Sequence, residues 1–140
     1  MSHQFSKEKS IAIEAVRTAS RICRSVQSSI TKGVLEKKDR SPVTIADYAS
    51  QAAICRDLEQ AFPEDPIIGE EDSSQLQSQE QAPFLKRILD ELKTVTPEAT
   101  AQDVCRWIDR GNAFETSERF WTLDPIDGTK GFLRQGQYAI

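Results

Sequence analysis

Asp124 and Asp127 stand three residues apart in Asp124-Pro125-Ile126-Asp127-Gly128-Thr129, directly after the apolar run Phe120-Trp121-Thr122-Leu123. Pro125 fixes its own φ and removes an amide donor, so the segment cannot simply continue as a ladder strand. It also keeps Asp124 out of the helical region. On such a turn two carboxylates can converge on one point, and the carbonyl of Ile126 can face the same point. These are hard oxygen donors, which suit Mg²⁺ better than zinc. Gly128 lets the backbone come close to a ligand. Thr129 offers a hydroxyl and an amide near an expected helix start, where phosphate is well received. A lone Asp-Gly is usually a hairpin turn; the whole hexapeptide behind an apolar strand points to a cation and a phosphate instead.

Two further acidic sites can join it. Glu70-Glu71-Asp72 follows Ile67-Ile68-Gly69, and the end of a strand would fix the first carboxylate firmly. Asp47 lies in Thr44-Ile45-Ala46-Asp47, which has the spacing of a capping box with Asp in the place of Glu or Gln. Capping could be its whole role. All three sites fall at the ends of expected elements, where loops carry functional groups.

The elements that must hold these acids follow from hydrophobic periodicity. Ile11, Ala12, Ala15, Ala19, Ile22, Cys23, Val26 and Ile30 form the apolar stripe of one long amphipathic helix, which Ser6 can cap and Gly33 can end. Residues 36–44 read as a polar loop. A second helix is expected from about Ile45 to Ala61, with Ala46, Ala49, Ala53, Ile54 and Leu58 buried and Pro63 just past its end. Pro66 to Gly69 reads as a short buried strand, Ser73 to Gln81 as a mobile loop, and Phe84 to Leu92 and Ala101 to Asp109 as helices. Phe120 to Leu123 is a second strand. Tyr138-Ala139-Ile140 opens a third that has no continuation, so the chain reads as cut short inside a sheet.

Bulk properties narrow the function classes. The 140 residues suit one domain, and 38% apolar content is enough for a core. No run approaches the roughly 18 apolar residues of a membrane helix, and the polar start lacks a signal peptide's apolar stretch. A soluble, cytoplasmic protein is expected. The first 40 residues carry nine Lys and Arg against four Asp and Glu; the rest carry nine against eighteen. The basic part is interleaved with apolar residues at helical spacing and reads as a solvated helix face, not a nucleic-acid patch. Cys23, Cys55 and Cys105 are odd in number and far apart, which supports neither a disulfide framework nor a zinc site. His3 is the single histidine, so a histidine zinc centre or a Ser-His-Asp triad is excluded.

Trp121-Thr-Leu-Asp-Pro-Ile-Asp-Gly-Thr-Lys-Gly-Phe132 resembles the signature of the magnesium-dependent, lithium-sensitive phosphatases related to inositol monophosphatase. Gly69-Glu70-Glu71 and Ser41-Pro-Val-Thr-Ile-Ala-Asp47 resemble two further motifs of that family, in the same order. The resemblance implies an α+β fold: the N-terminal part of a layered α/β/α/β/α sandwich, with long helices packed on a mostly antiparallel sheet. Residues 1–140 would be the N-terminal portion of that domain, without the C-terminal half that supplies a further metal-binding aspartate and the nucleotide pocket. Lys130-Gly131-Phe132 is similar to the 3′(2′),5′-bisphosphate nucleotidases, where inositol monophosphatases have Thr-Asn-Phe. This implies removal of the 3′-phosphate from adenosine 3′,5′-bisphosphate and from 3′-phosphoadenylyl sulfate, within sulfur assimilation. An inositol-phosphate phosphatase, or a fragment with only a binding role, are the alternatives. Residue by residue, the resemblance implies Mg²⁺ held by Glu70, Asp124, the Ile126 carbonyl and Asp127. It implies Asp47 and Thr129 acting on the attacking water, and Asp127, Gly128 and Thr129 against the phosphate. It says nothing of oligomeric state.

Overall fold

Ala15, Ala19, Ile22, Cys23 and Val26 repeat at helical spacing, and they are the buried stripe of α1 (Ser6–Thr31). The computed structural model describes residues 4–31 and 41–140, with side chains for 4–29 and 45–140. The expected stop at Gly33, most of the polar loop, His3 and the side chain of Ile30 lie outside those residues. Ser6 is the first helical residue, so the capping position falls on Phe5, which takes a left-handed φ of 71°.

α1 lies along α2 (Ser41–Ala61), the centre of the molecule. α2 begins four residues before the expected start. Ser41-Pro42 is a helix opening, because proline in the first turn lacks only an N–H that has no intrahelical partner there. Thr44 is therefore inside the helix and not at the cap position that its spacing to Asp47 suggests. The small side chains of Ala46, Ala49, Ala52 and Ala53 let neighbours approach on every side. From Ile45 to Cys55 every residue except Asp47 is buried, including Ser50 and Gln51. The one-faced stripe read from the sequence is thus an all-round burial.

α3 (Ala82–Lys93) and α4 (Ala101–Asp109) pack on α2 and bring Ile88, Leu92, Val104 and Ile108 into the same core. Thr100 and Asp103 form a reciprocal capping box that starts α4, with bonds of 3.2 and 3.0 Å. The stretch from Ser73 to Gln81 is not the plain loop expected. It holds a 3-10 turn, Ser74–Gln77, because Leu76 is drawn into the core and the Ser73 hydroxyl donates to Asp109 at 2.6 Å.

Strands β1 (Ile67–Ile68) and β2 (Trp121–Thr122) pair in parallel, Ile67 beside Trp121 and Ile68 beside Thr122. The mostly antiparallel sheet expected is not seen among the described residues. Among the described residues, antiparallel contact is limited to two single bridges, Ile68 to Asn112 and Asp127 to Ala139. The second is the expected strand opening at Tyr138–Ile140. Arg119 ties this layer to the start of α1, reaching Glu8 at 2.6 Å and Asp65 at 2.8 Å. Trp121 also donates to Asp65 at 3.0 Å. A short helix, α5 (Thr129–Leu133), closes the layer and buries Phe132.

The α1–α2 contact carries much of the core, and Ile22 is 1% exposed within it. Ile22→Ala is expected to lower stability by about 3 kcal/mol, the usual cost of a large-to-small change in a close-packed site. Urea denaturation followed by circular dichroism measures it, and a loss below about 1 kcal/mol contradicts the packing described.

Candidate metal centre

Parallel pairing decides where the acids emerge. β1 and β2 run the same way, so both leave the sheet at one end. Ile68 is level with Thr122, and Glu70 and Asp124 each follow two residues past these strand ends. An antiparallel pair would have sent them to opposite ends. The arrangement matches the general preference for ligands beyond the carboxyl ends of parallel strands.

The electrostatics agree. Burial raises the Glu70 carboxyl above its ordinary range, and the nearby charges of Asp124 and Asp127 raise it further. Asp47 is pushed up to about 7, first by burial and then by Glu71, Glu70 and Asp124. Four carboxylates predicted from three separate stretches of sequence thus share one region. Glu70, Asp124 and Asp127 are exposed and Asp47 is half-buried. Among the described residues no three such groups close to coordination distance, so the acids meet at electrostatic range. Two open clefts of about 520 Å³ share Asp109, Asn112 and Phe114, one reaching Gly69 and Asp72 and the other Pro63 and Pro66 before β1, and neither is lined by these acids.

The triplet Glu70-Glu71-Asp72 is sorted by its surroundings. Glu70 faces the aspartates of the second loop. Glu71 is half-buried, raised by burial and by Glu70 and Asp72. Asp72 accepts hydrogen bonds from the amide and hydroxyl of Ser74, which lower its carboxyl.

Asp127 is fixed by its backbone, which exchanges two hydrogen bonds of 2.8 Å with Ala139. Gly128 precedes α5 with φ 89°, a left-handed conformation that costs glycine nothing and strains other residues. Thr129 is exposed at the first position of α5, and among the described residues it makes no side-chain hydrogen bond to Asp47.

Two residues that sequence reading missed hold both acidic loops to α2. Ser50 is buried and donates to the Pro125 carbonyl at 2.9 Å. Gln51 is buried and grips the Glu70-Glu71 backbone. With Asp47 they occupy positions i, i+3 and i+4, one face of the helix. The available signal was a pair of polar residues inside the small apolar run Ala49-Ser50-Gln51-Ala52-Ala53. Such residues are buried only with partners.

Residues 5–140 match the sequence profile of the Inositol monophosphatase family. The chain belongs to that family. It is 42% identical over 152 residues to a 3′(2′),5′-bisphosphate nucleotidase of Schizosaccharomyces pombe, covering 97% of this chain and 42% of the relative. It is 40% identical over 154 residues to 3′(2′),5′-bisphosphate nucleotidase 1 of Candida albicans, covering 99% and 42%. The corresponding enzyme 1 of Arabidopsis thaliana is 40% identical over 152 residues, covering 97% and 42%. The chain therefore spans about two fifths of the length of these relatives. Among the described residues of this family member, no helix is long and apolar enough to cross a membrane.

Proposed function

We propose that this chain is the N-terminal portion of a Mg²⁺-dependent phosphate-monoester hydrolase that removes the 3′-phosphate of adenosine 3′,5′-bisphosphate, giving AMP. The observation that carries the reading is the parallel pairing of β1 and β2, by which the Glu70 and Asp124 loops leave the sheet at one end, supported by the effect of the Asp124 charge on the Glu70 carboxyl. The names of the relatives support the substrate class. 3′-Phosphoadenylyl sulfate presents the same 3′-phosphate and is proposed as a second substrate.

The donor set fits the ion. Clustered carboxylates without a cation repel one another, which adds to the effect of burial in raising the Glu70 and Asp47 carboxyls. Glu70, Asp124, Asp127 and the Ile126 carbonyl would hold Mg²⁺, all as hard oxygen ligands. Bound Mg²⁺ would neutralise the phosphate dianion and make a neighbouring water easier to deprotonate. Asp47, half-buried and raised to about 7, can accept a proton from the attacking water near neutral pH. Thr129 would orient that water, and the Gly128 and Thr129 amides would lie against the phosphate with Asp127. Water attacks phosphorus, the bond to the 3′-oxygen breaks, and the nucleoside hydroxyl and inorganic phosphate leave.

Gly131 bears on the choice between substrates. A Cβ at that position would stand 2.0 Å from the Gln137 carbonyl. The Asn of the inositol monophosphatase pattern therefore has no room here, and the return of residues 135–139 over the loop goes with glycine. Lithium inhibition by taking a Mg²⁺ position and a place in sulfur assimilation belong to the same proposal.

Phosphate release with and without EDTA tests it, using adenosine 3′,5′-bisphosphate and inositol 1-phosphate in parallel. Release from the nucleotide is expected to need Mg²⁺ and to exceed release from the inositol ester by about tenfold or more. The reverse preference favours the inositol-phosphate reading. No release from either by a chain that still binds Mg²⁺ favours a binding role alone.

A further inference from the structure

We infer that Gln51 is a positioning residue of the acidic centre, its buried carboxamide fixing where Glu70 stands. The inference deepens the metal reading above and rests on it. Gln51 is fully buried in α2. Its Oε1 accepts from the backbone amides of Glu70 at 3.1 Å and Glu71 at 3.0 Å. Its Nε2 donates to the carbonyls of Glu71 at 2.7 Å and Ile108 at 2.8 Å. A carboxamide has two acceptor sites and two donor hydrogens, and all four are used. The amide cannot be turned over, because that would set oxygen against two carbonyls and nitrogen against two N–H groups.

The seat around this amide is built to its thickness. Gly69 and Gly111 flank it, and they are joined to each other by a 2.7 Å hydrogen bond. A Cβ at Gly69 would lie 2.6 Å from Oε1, and one at Gly111 would lie 2.7 Å from Nε2. Glycine before Glu70 therefore has a steric cause, the close approach of this side chain. Both neighbours of the bond between residues 70 and 71 are held by one rigid group on a central helix. Leaving four backbone groups unpaired would be costly, and a looser loop is the cheapest escape.

A mere core filler at this position would be better served by Leu or Met, which carry no desolvation cost. The carboxamide also lies one helical turn from Asp47, so the same helix face sets Asp47 and Glu70 relative to each other. That spacing is consistent with the influence of Glu70 and Glu71 on the Asp47 carboxyl.

Gln51→Met keeps the volume and removes all four hydrogen bonds. The test is Mn²⁺ binding to the full chain, followed by the paramagnetic resonance signal of free Mn²⁺ at a temperature where every variant is folded by circular dichroism. The wild type is expected to bind saturably, and Gln51→Met to bind about tenfold or more weakly, as loss of a group orienting a metal ligand does. Ile22→Ala, which lowers stability without removing any of these four hydrogen bonds, is the control and is expected to keep the wild-type affinity. Folded Gln51→Met with an affinity within about twofold of wild type overturns the inference and leaves the metal reading intact. A wild-type chain that binds no Mn²⁺ overturns both. If Gln51→Met does not fold, amide exchange in the wild type decides. Glu70 and Glu71 amides as protected as those of α2 support the inference, and exchange at free-loop rates overturns it.

Discussion

Asp124→Asn is expected to lower Mg²⁺-dependent phosphate release by about 10³-fold, the equivalent of roughly 4 kcal/mol of electrostatic stabilisation withdrawn from the transition state. Asp124 is exposed, two residues past the end of β2, as Glu70 is two residues past the same end of β1. The substitution keeps shape and volume and removes one charge. Its effect on the fold should be small and of the opposite sign, since the Asp124 charge raises both Glu70 and Asp47. Asp72→Asn is the matched control. Asp72 belongs to the same acidic triplet but is occupied by Ser74, so its loss should leave activity within about twofold. Steady-state phosphate release across a Mg²⁺ titration separates the two. Equal losses in both variants would mean that overall acidity, and not the Glu70–Asp124 pairing, supports the reaction.

The four acids of this centre are visible in the sequence because each sits against a local landmark. Asp124 and Asp127 flank a proline turn, Glu70 follows Ile67-Ile68-Gly69, and Asp47 stands three residues after Thr44 at the spacing of a capping box. The expected helix from Ala101 to Asp109 also has those limits in the structure, where Thr100 and Asp103 cap its start. What the sequence did not show was of a different kind. The direction in which β1 and β2 pair depends on the path of the intervening helices, and no local pattern in two short apolar runs encodes it. The start of α2 was set too late because the apolar stripe begins at Ile45, whereas the backbone becomes helical at Ser41. Ser73–Gln81 looked unstructured from composition alone. Its order comes from a partner 36 residues away, Asp109. Gln51 was passed over because a polar residue in a helix is ordinarily a surface residue. Its value follows from what lies around it, two glycines and two loops distant in sequence.

Asp47 should show stability and activity moving in opposite directions. Its carboxyl is raised from the ordinary 3.8 to about 7 in the folded chain, by burial first and by Glu71, Glu70 and Asp124 after it. Between those two values the folded state holds a proton that the unfolded state releases. Stability of the metal-free chain therefore falls as pH rises from about 4 to about 7, then levels off. A three-unit shift corresponds to roughly 4 kcal/mol, and solvent screening of a partly exposed carboxyl reduces it to about 2 kcal/mol. Asp47→Asn removes the charge that is costly to bury. Free of metal at pH 8, it is expected to be about 2 kcal/mol more stable than wild type, and near pH 4 the two should coincide. Phosphate release by the same variant should fall about 10² to 10³-fold, because Asn cannot take the water's proton. Mg²⁺ should stabilise the wild type more at pH 8 than at pH 5, since a cation competes with protons for the same oxygens. Urea unfolding across this pH range, with EDTA and with Mg²⁺, measures all three. A wild-type stability that rises between pH 4 and 7 without metal would place Asp47 in an ordinary solvated setting. It could then serve neither as the strained carboxylate described here nor as a base matched to neutral pH.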